Sequence, residues 1–427
     1  MQPQNVLVFP AGTEIAMEIN RALRFCRNIT LWGATDRVSN HTDCVFRNWS
    51  FVRSVSNPNW ISDITEVVGR NKIDLVFPAH DDVVVALAEN RSNLSAKVVT
   101  SPVNTCQIAR SKRKTYDTLR DVVKVPKVYP SGSTPPAFPV FAKPDRGQGS
   151  FGAQIVLDDL ELDAIRRQHG ESYVVTEHLP GQEYTVDCFS DREGGLLFVG
   201  GRKRVRTRSG ISMNTTAVED SRFREIATNI QSRLEFHGAW FFQLKENAEG
   251  DFFLLEVAPR IAGAMSLYRC RGVNFPLLSI YEALRIPVRA EPASHSVELD
   301  RALINRYRIN IRYDSVYVDL DDTLLIREEV NTELIRFLFQ SLNQGKKLIL
   351  LTRHRGNISD TLARFRLLQI FDAVVHVPDG QPKSAFICDR NSILIDDSFS
   401  ERSEVSRSTG ISVFDCSMLE MLINDAV

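Results

Sequence analysis

Apolar and polar positions in the first hundred residues alternate between two periods. Short β-branched runs at Asn5–Phe9, Asn28–Trp32, Leu75–Phe77 and Lys97–Thr100 predict strands. The amphipathic stretch Glu14–Arg24, entered through the turn Pro10-Ala11-Gly12, predicts a helix. Strand–helix alternation implies a parallel sheet covered on both faces. His80-Asp81-Asp82 stands between a strand and a helix over Val83–Glu89. It reads as an N-cap with first-turn carboxylates in preference to a ligand contact. From about residue 106 the pattern changes. A helix over Ser111–Val122 leads through Pro126 and the Pro-rich stretch Ser131–Pro139 into paired strands with glycine turns. Residues 288–313 cluster Pro, Ser and charge without periodicity, which marks a boundary. Strand and helix then alternate again through Ser315–Asp319, Asn331–Gln344, Lys347–Thr352, Ile358–Leu368, Ala373–Val377 and Ser392–Asp396, a second parallel sheet. The expected organisation of this α/β chain is a Rossmann-like domain over 1–105, a domain over 106–290, a linker over 291–313 and a doubly wound domain over 314–427.

Composition narrows the function classes. At 43% hydrophobic and 25% charged, the 427 residues are an ordinary globular mix, with enough apolar side chains for each domain to bury its own core. Lys+Arg 52 against Asp+Glu 53 leaves a net charge of -1, without the electrostatic footprint of a nucleic-acid binder. No apolar run approaches the ~20 residues of a membrane span, and the N-terminus lacks the basic region of a signal peptide. The 7 Cys are scattered with no C-x-x-C pair, which indicates neither a disulfide framework nor a zinc site. The expectation is a soluble cytoplasmic protein with neither nucleic acid nor membrane as a partner.

Gly147-x-Gly149-x-x-Gly152 formally matches a dinucleotide fingerprint, but such a loop opens directly into a helix. Here Ala153–Leu157 reads as a strand, so the loop (Ser150 included) reads either as an ordinary glycine hairpin or as a flap whose N–H groups fold over phosphates beside the point charge of Lys143. Gly201–Arg208 is the strongest basic run. It reads either as a solvated edge strand or as a phosphate-facing strand, with Arg204, Arg206 and Arg208 on one face at period two.

The order of these features resembles the ATP-grasp superfamily over about residues 5–290, including the Rossmann-like domain that precedes the grasp. The resemblance implies that Lys112 and Lys143 contact ATP phosphates under the flap. It implies that Glu177, His178 and Leu179 read the adenine edge within Tyr173–Val186, and that Glu183 accepts the ribose hydroxyls. Basic residues such as Arg204 and Arg206 would face phosphate. Gln243 and Glu256, on strands Trp240–Leu244 and Phe252–Val257, are similar to the family's Mg²⁺ ligands. Arg260 would stabilise charge on the transferring phosphoryl group. Ala258 departs from the pattern, standing where the metal-binding Asn is expected.

In Ser315–Thr323 (SVYVDLDDT) an apolar strand ends in carboxylates, at the end of a parallel strand where such sheets build their sites. A calcium loop is excluded, because no glycine and distal Glu follow at EF-hand spacing. The segment resembles the haloacid-dehalogenase-like phosphatases. The resemblance implies Asp319 as nucleophile, Asp321 as general acid and base, Thr352 as the phosphate-binding hydroxyl and Lys383 as the balancing cation. It also implies Asp396 and Asp397, with Asp319 and Asp321, as the Mg²⁺ ligands. The intervals Thr323–Thr352 and Thr352–Lys383 each have room for one helix and one strand and none for a cap, which predicts an open site.

Together these features predict a bifunctional enzyme of small-molecule biosynthesis using ATP and Mg²⁺. One part would be a carboxylate–amine ligase working through an acyl phosphate, the other a phosphomonoesterase. Its substrates would be a small carboxylate, an amine and a phosphate ester. The alternatives are a phosphatase with a nucleotide-binding but inactive grasp, a nicotinamide oxidoreductase built on the glycine loop, and a non-catalytic binding module. Oligomeric state stays open, a homodimer being the form many such ligases take.

Overall fold

The structure, a computed structural model, describes residues 1–37, 39–424 and 426. It divides into two compact units, Met1–Leu303 and Ile304–Ala426.

The first unit begins with a five-stranded parallel sheet of β1 (Gln4–Phe9), β2 (Ile29–Thr35), β3 (Asn48–Phe51), β4 (Leu75–Pro78) and β5 (Lys97–Val98), in the order β3-β2-β1-β4-β5. Helices α1 (Glu14–Leu23), α2 (Trp60–Arg70) and α3 (Asp81–Glu89) link its strands. Strand order reverses between β1 and β4, and a crevice opens at their carboxyl ends at such a switch point. Thr13 caps α1 by accepting from Ala16 N at 3.1 Å, and its hydroxyl donates to Ala79 O at 3.0 Å, joining the two loops that form the crevice. His80 caps α3 through Nδ1, which accepts from Asp82 N at 3.2 Å.

Helices α4 (Val103–Arg110) and α5 (Lys112–Leu119) lead to an antiparallel sheet of β6 (Val128–Tyr129), β7 (Val140–Pro144), β8 (Gln154–Val156) and β9 (Tyr173–Glu177), ordered β6-β9-β7-β8 and backed by α6 (Asp159–His169). A six-stranded antiparallel sheet follows: β10 (Glu183–Ser190), β11 (Leu196–Arg208), β12 (Ile211–Val218), β13 (Gly238–Glu246), β14 (Phe252–Ala258) and β15 (Glu298–Asp300), ordered β14-β13-β10-β11-β12-β15. Helices α7 (Ser221–Gln231), α8 (Ser266–Arg269) and α9 (Phe275–Ala283) complete the unit. The edge strand β15 corrects the expected linker at 291–313. Polar bonds hold it, Asn214 Nδ2 donating to Glu298 and Asp300, and Leu299 is its one residue packed against the core. A three-residue edge strand with one inward side chain leaves no hydrophobic period to read.

One face of the first sheet buries a core of its own, with Leu7, Phe9, Ile64 and Leu87 in one cluster, but the other face does not. Val6, Val8, Ile19 and Phe77 form one apolar cluster with Phe241, Met265, Tyr268 and Phe275, so the two expected domains share a hydrophobic interior. Packing inside the six-stranded sheet is as tight: a Cβ on Gly201 would lie 2.2 Å from Phe223 Cε2 and 2.9 Å from Val218 O. Gly201→Ala is expected to destabilise the protein by about 1–3 kcal/mol, read as a lower denaturant midpoint at unchanged slope. An unchanged midpoint would show that Phe223 has room to move.

The second unit is a parallel sheet of β16 (Ser315–Val318), β19 (Lys347–Thr352), β20 (Ala373–His376), β21 (Ser392–Ile395) and β22 (Ser412–Phe414), ordered β20-β19-β16-β21-β22. The small hairpin of β17 (Leu325–Ile326) and β18 (Glu329–Val330) follows β16. Helices α10 (Thr332–Asn343), α11 (Ile358–Arg364), α12 (Phe399–Thr409) and α13 (Leu419–Leu422) cover the faces. The order repeats that of the first sheet, so the switch point falls between β16 and β21, whose carboxyl ends carry Asp319 and Asp396. Among the described residues, the intervals Thr323–Thr352 and Thr352–Lys383 hold the hairpin, two helices and two strands, and no cap. No helix among them is long and apolar enough to cross a membrane.

Candidate functional sites

In the first unit a cavity of ≈ 430 Å³ is lined from the crevice of the first sheet, from the flap and from the six-stranded sheet. Local bonds bring its two lysines together. Ser111 Oγ donates to the Asp145 carboxylate at 2.8 Å and Arg113 N donates to it at 2.9 Å, pinning the start of α5 to the end of β7. Lys112 Nζ then donates to Gly147 O at 3.3 Å, and buried Lys143 donates to the Tyr116 hydroxyl at 2.7 Å. Burial lowers the Lys143 ammonium to about 7, and the Lys112 charge adds to the effect. Burial pushes the Tyr116 phenol up, so it stays protonated and donates to Leu255 O at 2.9 Å.

The flap residues Gly147, Gly149 and Ser150 line the cavity, and Gln148 reaches His80 Nε2 at 2.6 Å. Gly152 does not line it. Its φ of +72° favours glycine, and a Cβ there would strike the Tyr173 hydroxyl at 2.5 Å. Glu177, His178 and Leu179 line the opposite side. The Glu177 carboxylate accepts from Lys127 N at 2.8 Å, and burial holds the His178 imidazole below its ordinary range. Glu183 accepts from Lys245 at 3.1 Å, its partner directly across β10–β13.

Three expectations change here. Arg206 leaves the cavity: register shifts on either side of it in β11 break the period-two face, and it pairs with Asp300 at 2.6 Å. Arg204 stays, buried, with one Nη donating to Gln243 Oε1 at 2.7 Å and the other to Gly210 O at 2.6 Å, while its buried Nε has no hydrogen-bond partner among the described residues. Gln243 and Glu256 do sit directly opposite on β13 and β14. The Gln243 oxygen, however, is taken by Arg204, which leaves Glu256 as the open oxygen donor of that pair. Arg260 is held bidentately by Asp81 at 2.6 and 2.8 Å. Burial opposes the charge of Asp81, but Arg260 outweighs it and holds the carboxyl below its ordinary value. The first-turn carboxylate of α3 is thus both a capping charge and the support of Arg260. Lys245 was missed by sequence reasoning, although its place two residues after Gln243 on one strand face was a usable signal.

In the second unit Lys383 Nζ bonds Asp319 Oδ1 at 2.9 Å and Asp396 Oδ2 at 2.5 Å. Burial raises the Asp319 carboxyl to about 6, against the pull of Lys383. Burial also works against the Lys383 charge, but the two carboxylates outweigh it and raise its pKa. Oxygens of Asp319, Asp396 and Asp397 lie within 4.8 Å of one another, a hard-oxygen set that fits Mg²⁺. Asp397 N donates to the buried Thr323 hydroxyl at 2.9 Å, which orients the pair. Thr352 ends β19, fully buried, and accepts from His354 N at 3.1 Å.

The Asp321 side chain is not in that oxygen set. It turns to His354, whose Nδ1 is 3.0 Å from both of its oxygens. Side chains at i and i+2 of an irregular turn need not face one way, and the extended period ends with β16 at Val318. His354 itself was missed; its place two residues beyond Thr352, in the loop after a parallel strand, was the available signal.

A family described as "ATP-grasp in the biosynthetic pathway with Ter operon" matches residues 169–305. A sequence search of curated proteins finds no match. Solved structures of similar fold include the biotin carboxylase domain dimer of Hydrogenobacter thermophilus 2-oxoglutarate carboxylase, in complex with MgADP, ADP and bicarbonate (13% identity, 68% of this chain and 71% of that one, TM-score 0.57). An L-amino acid ligase from Bacillus licheniformis is similar at 16% identity (68% and 78%, TM-score 0.55). So is the ADP complex of Staphylococcus aureus N5-carboxyaminoimidazole synthetase at 11% (67% and 79%, TM-score 0.56). The sheets, the flap between β7 and β8 and these likenesses identify the fold as a mixed α/β ATP-grasp fold.

Proposed function

We propose that the chain is a bifunctional enzyme: an ATP-dependent carboxylate–amine ligase in its first unit and a Mg²⁺-dependent phosphomonoesterase in its second. The observation that carries this is a shared placement. Each parallel sheet opens at its switch point on groups that suit phosphate, Lys112 and Lys143 under a glycine flap in one, Asp319 with Lys383 and two further carboxylates in the other. The family's description and the nucleotide-bound neighbours support the ligase and its place in small-molecule biosynthesis. The phosphatase reading rests on the residues alone.

In the ligase the acid's carboxylate oxygen attacks the terminal phosphorus of ATP, the bond to ADP breaks, and an amine then displaces phosphate from the acyl phosphate. Lys112, Lys143 and the flap N–H groups hold the phosphates, while Arg260, fixed by Asp81, meets the charge that develops on transfer. Glu256 would hold Mg²⁺ together with the phosphates of ATP, and the ion would supply charge against the phosphate oxygens. In the phosphatase an Asp319 oxygen attacks phosphorus, and the ester oxygen leaves with a proton from Asp321. Water, giving its proton to Asp321, then frees Asp319. Mg²⁺ at Asp319, Asp396 and Asp397 would supply charge against the phosphate oxygens.

A second reading, a phosphatase whose grasp binds nucleotide without ligating, is favoured by two features: apolar Ala258 at the position of a metal-binding Asn, and the capture of the Gln243 oxygen by Arg204. ADP release from ATP–Mg²⁺ by the Asp319→Asn variant, across pooled acids and amines, separates the two. ADP only when an acid pool and an amine pool are combined is the expected result. Nucleotide binding without ADP from any combination would overturn the ligase in favour of the second reading.

A further inference from the structure

Asp321 sits one turn beyond the central strand of the second unit, followed by Asp322 at φ +55°, and its side chain is about half exposed. A carboxylate so placed has several staggered rotamers open to it, most of them pointing into water. Its side chain has one bonding partner among the described residues, His354, whose Nδ1 stands 3.0 Å from both Oδ atoms. The imidazole is itself held at its far nitrogen. Nε2 meets Thr361 Oγ1 at 2.9 Å, and the backbone N–H of His354 donates to Thr352 Oγ1 at 3.1 Å. The ring is therefore tied to α11 through Thr361, and the backbone that carries it to the end of β19 through Thr352. The carboxylate it holds belongs to the neighbouring strand's loop.

We propose that His354 is the positioning residue for Asp321, fixing the carboxyl in the rotamer from which it reaches the leaving oxygen of a phosphate ester. The inference rests on the phosphatase reading of the second unit. Without the imidazole no other described side chain restrains Asp321. A proton donor free to swing loses the alignment that makes proton transfer effective, a contribution of about 10²–10⁴-fold in enzymes generally. In the first step, which kcat/KM reports, the loss falls only on esters whose leaving oxygen needs a proton; the hydrolysis of the intermediate that follows is common to all esters and loses its base alike. An alkoxide leaves poorly without a proton, whereas a dinitrophenolate leaves readily as the anion.

The test compares an alkyl phosphate with 2,4-dinitrophenyl phosphate as substrates of the full chain with Mg²⁺, in the wild type, His354→Ala and His354→Asn. The expected result for His354→Ala is a fall of about 10²-fold in kcat/KM for the alkyl ester, with kcat/KM for 2,4-dinitrophenyl phosphate close to that of the wild type. That retained kcat/KM also shows that the variant is folded. His354→Asn keeps an N–H that can donate to the carboxylate and is expected to recover part of the loss. Equal losses of kcat/KM on both esters, or no loss on either, would overturn the positioning role. A wild type inactive on both esters would overturn the phosphatase reading, and the inference with it.

Discussion

Asp319→Asn is expected to lower phosphate release from an aryl phosphate by about 10⁴-fold or more, because a carboxamide offers phosphorus no anionic oxygen and the intermediate cannot form. The same change is expected to act in the opposite sense on the stability of the metal-free protein. Burial raises the Asp319 carboxyl from 3.8 to about 6. A carboxyl whose folded value lies above its unfolded one binds protons more tightly when folded, so its contribution falls as pH rises between 3.8 and about 6 and stays low above. At pH 7 the metal-free variant is therefore expected to denature at a higher midpoint than the wild type, with the gain fading as pH falls to 4. Mg²⁺ supplies the charge that relieves this penalty, so the ion is expected to raise the wild-type midpoint more than that of the variant. A denaturation series at the two pH values, with and without Mg²⁺, reads both effects. A variant less stable than the wild type at pH 7 would show that the ion pair with Lys383 outweighs the burial.

Lys143→Met is expected to weaken ATP binding by about 10²-fold, the scale of a charged hydrogen bond to phosphate in a buried place. A second signature comes from its proton. Burial leaves the free lysine at about 7, down from 10.5. The unfolded chain therefore binds more protons across that window, and the group's contribution to stability rises with pH through it. Phosphate beside the amine reverses the balance in favour of the ammonium. ATP binding at pH 8 is thus expected to take up close to one proton, measured by calorimetry in two buffers of different ionisation enthalpy. The uptake is expected to be lost in Lys143→Met. Equal uptake in both proteins would remove Lys143 from the phosphate site.

The elements of both parallel sheets were legible because their signal is local. The apolar runs of β1, β4, β16 and β21 bury completely or nearly so on both faces, and a strand of that kind announces itself without any partner. The flap was legible for the same reason, since a strand after Gly152 excludes the helix that a dinucleotide loop requires. Strand β15 was not, because polar bonds to Asn214 and Arg206 hold it rather than a buried face. Arg206 shows how little it takes to lose a residue: register shifts on either side of it break the period of the strand, and composition does not report them.

The sequence by itself determined which carboxylates stand at strand ends and which lysines flank the flap, because strand length and glycine placement are properties of neighbouring residues. The tertiary structure alone decided who holds whom. Arg260 finds Asp81 across 179 positions, Lys112 and Lys143 converge because Asp145 ties two elements together, and Asp321 turns to His354 rather than to the acidic cluster. Charge state was decided there too. A lysine at about 7 and an aspartate at about 6 owe their values to the water that packing removes, and that quantity is written in no local stretch of the chain.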